Sequence, residues 1–408
     1  MEYKFTEGGV TAPKGFKASG IHCGVRLSRT KKDLALIVSE KPCTSAGLFT
    51  LNKVKAAPVR LDIETVKNGH CSAIIANSGI ANACAPNEME NALAMQKGAA
   101  EALGLSQDQV LVGSTGIIGQ ELPVEPILKG LPEAVKALTT DTSGSDDAAN
   151  AIMTTDTRKK EQAVVFELDG KTVTIGGISK GSGMIHPNMG TMLCYLTTDC
   201  SISAEMLKKA LKEVCDVTFN RISVDGDTST NDSLIILANG EAGNTEITEE
   251  NEDFDIFVNA LRQLCTDIAR RMARDGEGAK HLITCIMKGV SDEEKAEILS
   301  KAVISSSLTK AAIFGCDANW GRVLCAMGYS GAEFDPKKVD IRFSSEAGEI
   351  LVCEKGTGIV FDEDKASSIL QEEEVVITAD LHEGDASAEC WGCDLTYDYV
   401  KINGDYRT

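Results

Sequence analysis

Positive charge is in short supply in this 408-residue sequence: 41 lysines and arginines face 61 aspartates and glutamates, a formal net charge of −20. With no basic stripe to release counterions from a phosphate backbone, nucleic acid is excluded as an expected partner. Proline is scarce too, at 9 residues, and no tract is biased enough in composition to be disordered. No window approaches the roughly 20 apolar residues of a membrane span, and MEYKFTEGGVTAPKGFKASG at the start has no apolar signal core. The chain therefore reads as cytoplasmic, with no membrane partner. Self-similarity at a period of roughly 20 to 50 residues is missing, which excludes a solenoid. Gly-x-Gly-x-x-Gly before a helix, Walker A and His-Glu-x-x-His are all missing, so nucleotide-binding and zinc-protease readings lack support. Fourteen cysteines include a lone Cys-x-x-Cys, Cys390-Trp391-Gly392-Cys393, with no second pair and no neighbouring His pair. A structural zinc wants four ligands, so no metal is expected, and the thiols read as buried small hydrophobes.

What is present is alternation of strand and helix signals over a length that suits two or three domains. Ala73-Ile74-Ile75-Ala76, Ala163-Val164-Val165-Phe166 and Leu234-Ile235-Ile236-Leu237 predict strands buried on both faces. After Ser203, a fitting N-cap, Leu207, Ala210, Leu211 and Val214 recur with helical period. A second helix is predicted from Asn87, with Glu90 completing a capping box, to Gly104. The acidic stretches 139–150 and 239–255 read as exposed loops or helix starts. The fold class is mixed α/β.

The stretch KGSGMIHPNMGTMLCYLTTD (180–199) is the strongest chemical candidate. A threonine hydroxyl is a poor nucleophile unless a base adjoins it, and an N-terminal threonine carries that base as its own α-amine. Thr191 reaches this state only if the Gly190–Thr191 bond is cut. Gly190, without a Cβ, permits the strained backbone in which the neighbouring hydroxyl attacks the carbonyl to give an ester that water hydrolyses. The alternative is a plain turn before a core strand. Pro187 stiffens the approach, and Gly181 and Gly183 let the backbone approach another group closely.

Gly113-Ser114-Thr115-Gly116, after Val110-Leu111-Val112, has the form of a strand end offering N–H groups and a hydroxyl to an oxyanion, or of an ordinary glycine turn. Asp275-Gly276-Glu277-Gly278 sets a carboxylate where an amine could bind, or is a solvated turn. Asn77-Ser78-Gly79 and Asn319-Trp320-Gly321-Arg322 are further polar clusters, each structural when taken alone.

Taken in order, NSGIANAC (77–84), GSTGIIG (113–119), AIMTTDT (151–157), KGSGMIHPNMGTMLCYLTTD (180–199), DGEGA (275–279), DANWGR (317–322) and CDLTYDYVKINGDYRT (393–408) resemble the ornithine acetyltransferase, or glutamate N-acetyltransferase, family ArgJ. The likeness covers essentially the whole chain, from AGLFTLNKVKAAPV (46–59) onward. It implies a DmpA/ArgJ-like layered fold, with β-sheets between helices, self-cleaved into an α chain (1–190) and a β chain (191–408). It implies transfer of acetyl from N-acetylornithine to glutamate through an acetyl-Thr191 intermediate, releasing ornithine, in arginine biosynthesis. No cofactor is implied, although some members also use acetyl-CoA as a co-substrate. An assembly of two α and two β chains is the family pattern.

By position, Thr115 and Gly116 match the family's oxyanion-hole pair, and Thr155, Lys180, Thr191, Glu277, Asn403 and Thr408 match its substrate-binding positions. Lys180 and Asn403 suit an α-carboxylate, and Glu277 suits an ammonium. The sequence departs from the pattern at Gly190, commonly alanine, and at Ile80, commonly asparagine. His186 stands where alanine is frequent and puts a titratable ring near the cleavage point. Lys280 and His281 replace threonine and lysine and place an extra cation beside Glu277. The rival readings are an N-terminal-nucleophile aminopeptidase or amidase of the same fold, and an uncleaved amino-acid-binding protein.

Overall fold

The computed structural model describes residues 2–28, 30–186 and 192–405, so Gly190, Thr191 and Thr408 lie outside the described residues. Among the described residues three sheets form. One has four strands, Phe16–Ile21, Leu34–Ser39, Ala73–Ile80 and Val110–Ile117, in that spatial order. The second has six, in the order Lys4–Thr6, Lys160–Leu168, Lys171–Lys180, Leu193–Thr198, Ser233–Ala238, Thr44–Phe49. The third, of seven strands, centres on Leu282–Val290, which lies between Ala386–Cys393 and Glu374–Asp380.

The continuous apolar strands predicted from the sequence have the burial that their composition requires. The first two sheets pack directly on one another: Leu193, Tyr195 and Ile235 from one share an apolar cluster with Ile37, Ile74 and Leu111 from the other. Helices Glu88–Leu103 and Val124–Lys136 cover the outer face of the four-stranded sheet through Met95, Ala99, Ile127 and Leu131. Helices Ala204–Val217 and Glu252–Arg274 cover the outer face of the six-stranded one through Leu207, Leu211, Leu261 and Leu264. The result is a helix, sheet, sheet, helix stack, in keeping with the expected layered α/β class. The seven-stranded sheet builds its own core around Ile283, Leu299, Ile341 and Ile377, and its Trp391 and Cys393 reach into the core of the stack.

Two helix boundaries show how local chemistry operates. Ser203 caps as predicted, its side chain accepting from Met206 N at 3.3 Å, and Leu207, Ala210, Leu211 and Val214 are buried. Asn87 does not form the predicted capping box. It adopts a left-handed conformation (φ 55°), and its amide donates to Glu121 Oε1 at 2.7 Å instead. Gly104 ends that helix in the left-handed conformation glycine favours (φ 70°).

The acidic stretch 139–150 is less exposed than its composition implies. Residues Thr142–Ile152 form a helix whose Gly144, Ser145, Ala148 and Ala149 are buried. Small side chains explain the difference: a Cβ on Gly144 would meet Ala18 O at 2.5 Å, and one on Gly20 would meet Asp147 O at 2.0 Å, so helix and strand approach backbone to backbone. In 239–255 the expected loop runs to Asn251, which caps Glu252–Arg274 by accepting from Phe254 N at 3.0 Å.

The same principle sets the spacing of the two stacked sheets. An ideal Cβ on Gly113 would lie 1.9 Å from Tyr195 Oη and 3.2 Å from Ala76 Cβ. Gly113→Ala must therefore separate the sheets or displace the buried ring, and a loss of about 1 to 3 kcal/mol is expected. Urea unfolding measures it, and an unchanged midpoint would refute this packing argument.

Candidate active site

Three segments of the sequence's candidate set converge at one end of the stacked sheets. Lys180 ends strand Lys171–Lys180 and pairs in register with Leu193, so it stands beside the start of the next strand. Thr115 and Gly116 lie near the end of Val110–Ile117. Lys180 Nζ donates to Thr115 Oγ1 at 3.2 Å, and both side chains are buried. Gly116 has φ 133°, and a Cβ there would lie 2.2 Å from the Gly79 carbonyl carbon, so only glycine fits this strand end. Ser114 Oγ donates to Asn77 Oδ1 at 2.6 Å, holding the two parallel strands in register.

The remaining described candidates meet on the other side of the 181–186 loop. Thr155, three residues past helix Thr142–Ile152, bonds Ser182 Oγ at 2.8 Å. Glu277 N donates to Ser182 O at 2.9 Å, and Asn403 Nδ2 donates to Glu277 Oε2 at 2.7 Å. Gly183 is what admits Glu277: a Cβ there would lie 2.5 Å from its carboxylate. Asn403 thus partners Glu277 directly, where the sequence reading set the two against opposite ends of a substrate. Asp225 fixes the loop by accepting from Met184 N at 2.6 Å and Ile185 N at 2.9 Å, and Tyr399 Oη reaches the same carboxylate at 3.3 Å. Gly190, Thr191 and Thr408 are outside the described residues.

Behind the loop lies a buried ionic chain. Lys160 Nζ contacts Asp156 Oδ1 at 2.5 Å and Asp275 Oδ2 at 2.6 Å, and Gly181 N donates to Asp156 Oδ1 at 2.7 Å. Burial alone would raise the Asp156 carboxyl, but Lys160 and Lys180 outweigh it and hold it well below the usual carboxylate range. Burial lowers the Lys180 ammonium, against the opposing pull of Asp156.

Sequence reasoning missed two residues here. Asn231 Nδ2 bridges Ala81 O (2.6 Å) and Ser114 O (2.8 Å), tying the two sheets together at the site. Asp232 is 1% exposed and lines a recess of about 20 Å³ with Lys180 and Thr115. Its Oδ2 has no hydrogen-bond partner among the described residues, and burial raises its carboxyl well above the usual range, against Ser229 and Lys180. The signal was available: the run DTSTND (227–232) is polar throughout and leads directly into a fully buried strand.

Other expectations shift. Lys280 does not bond Glu277; its ammonium lies 5.3 Å from the Phe314 ring centroid. His281 is buried, with Nδ1 2.9 Å from Asp394 Oδ2. Asn319 caps helix Trp320–Gly328 by accepting from Arg322 N at 3.2 Å, a structural role. Cys390 and Cys393 are buried in one strand, and no group of three or more metal-ligating side chains occurs among the described residues. Among those residues, too, no helix is long and apolar enough to cross a membrane.

The ArgJ family model matches residues 17–408. The chain belongs to the ArgJ family. It is 50% identical over 403 residues to the arginine biosynthesis bifunctional protein ArgJ of Caldanaerobacter subterraneus subsp. tengcongensis, covering 98% of this chain and 99% of that protein. It is 43% identical to the Bacillus subtilis protein of the same name, over 98% of this chain and 97% of that one. The crystal structure of arginine biosynthesis bifunctional protein ArgJ from Bacillus halodurans matches with a TM-score of 0.50 at 43% identity, over 52% of this chain and 98% of that chain. The family places the protein among the acyltransferases of arginine biosynthesis and agrees with the layered fold.

Two outcomes follow from the electrostatics. Asp156→Ala strips Lys160 of one buried partner and Gly181 N of its acceptor, so stability measured by urea unfolding should fall by about 3 to 5 kcal/mol; a near-neutral change would show the ionic chain to be dispensable. The His186 imidazole, 3.0 Å from Ser223 Oγ, is pulled down to about 4 by burial and by Lys301, against Asp225. Because this lies below the ordinary histidine value of about 6.5, protonation favours the unfolded chain. The contribution is complete above pH 6.5 and is lost as pH falls toward 4. His186→Gln should flatten that part of the stability profile, and an identical profile in the variant would rule the coupling out.

Proposed function

We propose that the protein is an autoprocessed glutamate N-acetyltransferase that takes its acetyl group from N-acetylornithine. The observation that carries the reading is the meeting of Lys180 and Thr115 at 3.2 Å beside the start of strand Leu193–Thr198, in a family of acetyl-transferring enzymes. Cleavage at Gly190–Thr191 would divide the precursor into chains 1–190 and 191–408 and supply Thr191 with a free α-amine as its general base. The Thr191 hydroxyl attacks the acetyl carbonyl of N-acetylornithine and its proton passes through the amine to the departing ornithine nitrogen. Thr115 and the Gly116 backbone stabilise the oxyanion. The glutamate amine then attacks the acetyl ester, and Thr191 is regenerated.

Substrate recognition follows from charge. Lys180 is a buried cation suited to the α-carboxylate that ornithine and glutamate share, and a carboxylate there offsets its desolvation. Glu277 and Thr155 flank the loop on the other side, with Glu277 suited to the ornithine ammonium. Asn403 and Thr408 complete the pocket from the C-terminal segment, and two α and two β chains make up the assembly. The reaction needs no cofactor.

Intact-mass spectrometry before and after addition of N-acetylornithine tests the mechanism. The wild type should give two chains, the larger gaining one acetyl group. Thr191→Ala should remain a single chain and lose acetyl transfer essentially completely. A processed or active Thr191→Ala protein would sink the mechanism, and acetate release without an amine acceptor would mark a hydrolase instead.

A further inference from the structure

Self-cleavage needs a base that the processed site does not. The α-amine that serves Thr191 is liberated by the cut itself, so in the precursor that nitrogen is a peptide amide and cannot take the hydroxyl proton. Another group must accept it while the Gly190–Thr191 bond is broken. Of the described residues that line the recess at the site, two carry ionisable side chains, Lys180 and Asp232.

The two differ in what already engages them. Lys180 Nζ donates to Thr115 Oγ1 at 3.2 Å, and Asp156 and Glu277 pull on its charge from the far side. Asp232 is 1% exposed, yet its Oδ2 has no hydrogen-bond partner among the described residues. An unsatisfied buried carboxyl oxygen is costly and calls for a reason. Folding does not supply one, because the main chain is held without it. Thr50 N donates to Asp232 O at 3.1 Å, and the neighbouring Asn231 bridges Ala81 O and Ser114 O. Strand register supplies the placement. Ser233 pairs in parallel with Leu193, and Ser233 N donates to Met192 O at 2.7 Å. Asp232 therefore enters its strand beside Met192, the residue that follows Thr191 in the sequence. Burial raises its carboxyl well above the usual range, which makes the carboxylate a stronger base and the acid a ready donor.

We infer that Asp232 carries the proton in self-cleavage of the precursor, taking it from the Thr191 hydroxyl and returning it to the departing nitrogen. The inference rests on the processing proposed above. As the hydroxyl oxygen bonds to the Gly190 carbonyl carbon, its proton passes to the Asp232 carboxylate. The C–N bond then breaks, Asp232 gives the proton to the leaving nitrogen, and an ester joins the two chains. Water attacks that ester, giving the Gly190 carboxylate and the Thr191 hydroxyl, and the proton released converts the new α-amine to an ammonium.

Cleavage time courses on freshly translated precursor, read by intact mass across a range of pH, test this. The wild-type rate should fall as pH drops, because the carboxylate form is required; Lys180 is the charged group facing Asp232, with Asp156, Lys160 and Glu277 acting on that lysine in turn. Asp232→Asn should slow cleavage by about 100-fold or more and lose the pH dependence, and Asp232→Glu, which keeps a carboxyl, should recover part of the rate. In the uncleavable Thr191→Ala precursor, Asp232→Asn should leave the urea midpoint in place. Cleavage of Asp232→Asn at the wild-type rate, or with the wild-type pH profile, would overturn the inference, as would Asp232→Glu no faster than Asp232→Asn. A midpoint that falls with the cleavage rate would assign Asp232 a structural role and overturn it too. A wild-type precursor that stays whole would strike the proposed processing itself, and the inference with it.

Discussion

A charge taken out of water must find a partner, and the arrangement of the site depends on how Lys160 meets that demand. Its ammonium is buried between Asp156 and Asp275, which come from segments 119 residues apart, and Asp156 also accepts from Gly181 N. Asp275 in turn accepts from Thr157 N at 3.1 Å and Arg158 N at 3.2 Å. One buried cation thereby fixes the segment after helix Thr142–Ile152, the segment after helix Glu252–Arg274 and the start of the 181–186 loop. Thr155, Lys180 and Glu277 each lie within two residues of a member of this chain. Replacing the set by apolar residues would cost little in principle, since buried ion pairs are not inherently stabilising. What it would lose is the directional hydrogen bonding that gives three loops a single mutual position.

Glycine provides the complementary constraint, on distance. At Gly113 it lets the buried Tyr195 hydroxyl approach the neighbouring sheet, at Gly116 it lets two parallel strands converge, and at Gly183 it lets a carboxylate lie against the backbone. Each of these positions is next to or within a few residues of a candidate catalytic group. At Gly113 the Tyr195 side chain occupies the space a Cβ would need, two residues from Thr115, which meets Lys180. The packing of the core and the geometry of the site are therefore one problem.

The legible parts of the sequence were those governed by local rules. Buried strands at 73–76, 163–166 and 234–237, the Ser203 cap and the Gly104 stop all follow from periodicity and backbone preference, and all are present. The Asn87 capping box is absent: the residue takes a left-handed backbone (φ 55°) instead of the extended one an N-cap uses, and its amide NH2 serves Glu121, 34 residues away. The 139–150 segment looked exposed because its small residues carry little hydrophobicity, yet smallness is what allows the backbone contact that buries them. At the site, the motifs named Thr115, Lys180 and Glu277, whose contacts are nonlocal. Composition gave no means of pairing Asn403 with Glu277 across 126 residues. Asn231 and Asp232 escaped notice because their role is to serve other segments: one bridges two sheets, and the other faces a lysine that enters from a different strand.

Asp232 and Lys180 line one buried recess, so a carboxyl group and an ammonium share it without a direct bond among the described residues. Burial lowers the Lys180 ammonium and raises the Asp232 carboxyl, each against the pull of the other's charge. In so dry a recess each electrostatic contact is worth more than it would be in water, the Lys180 to Thr115 hydrogen bond included.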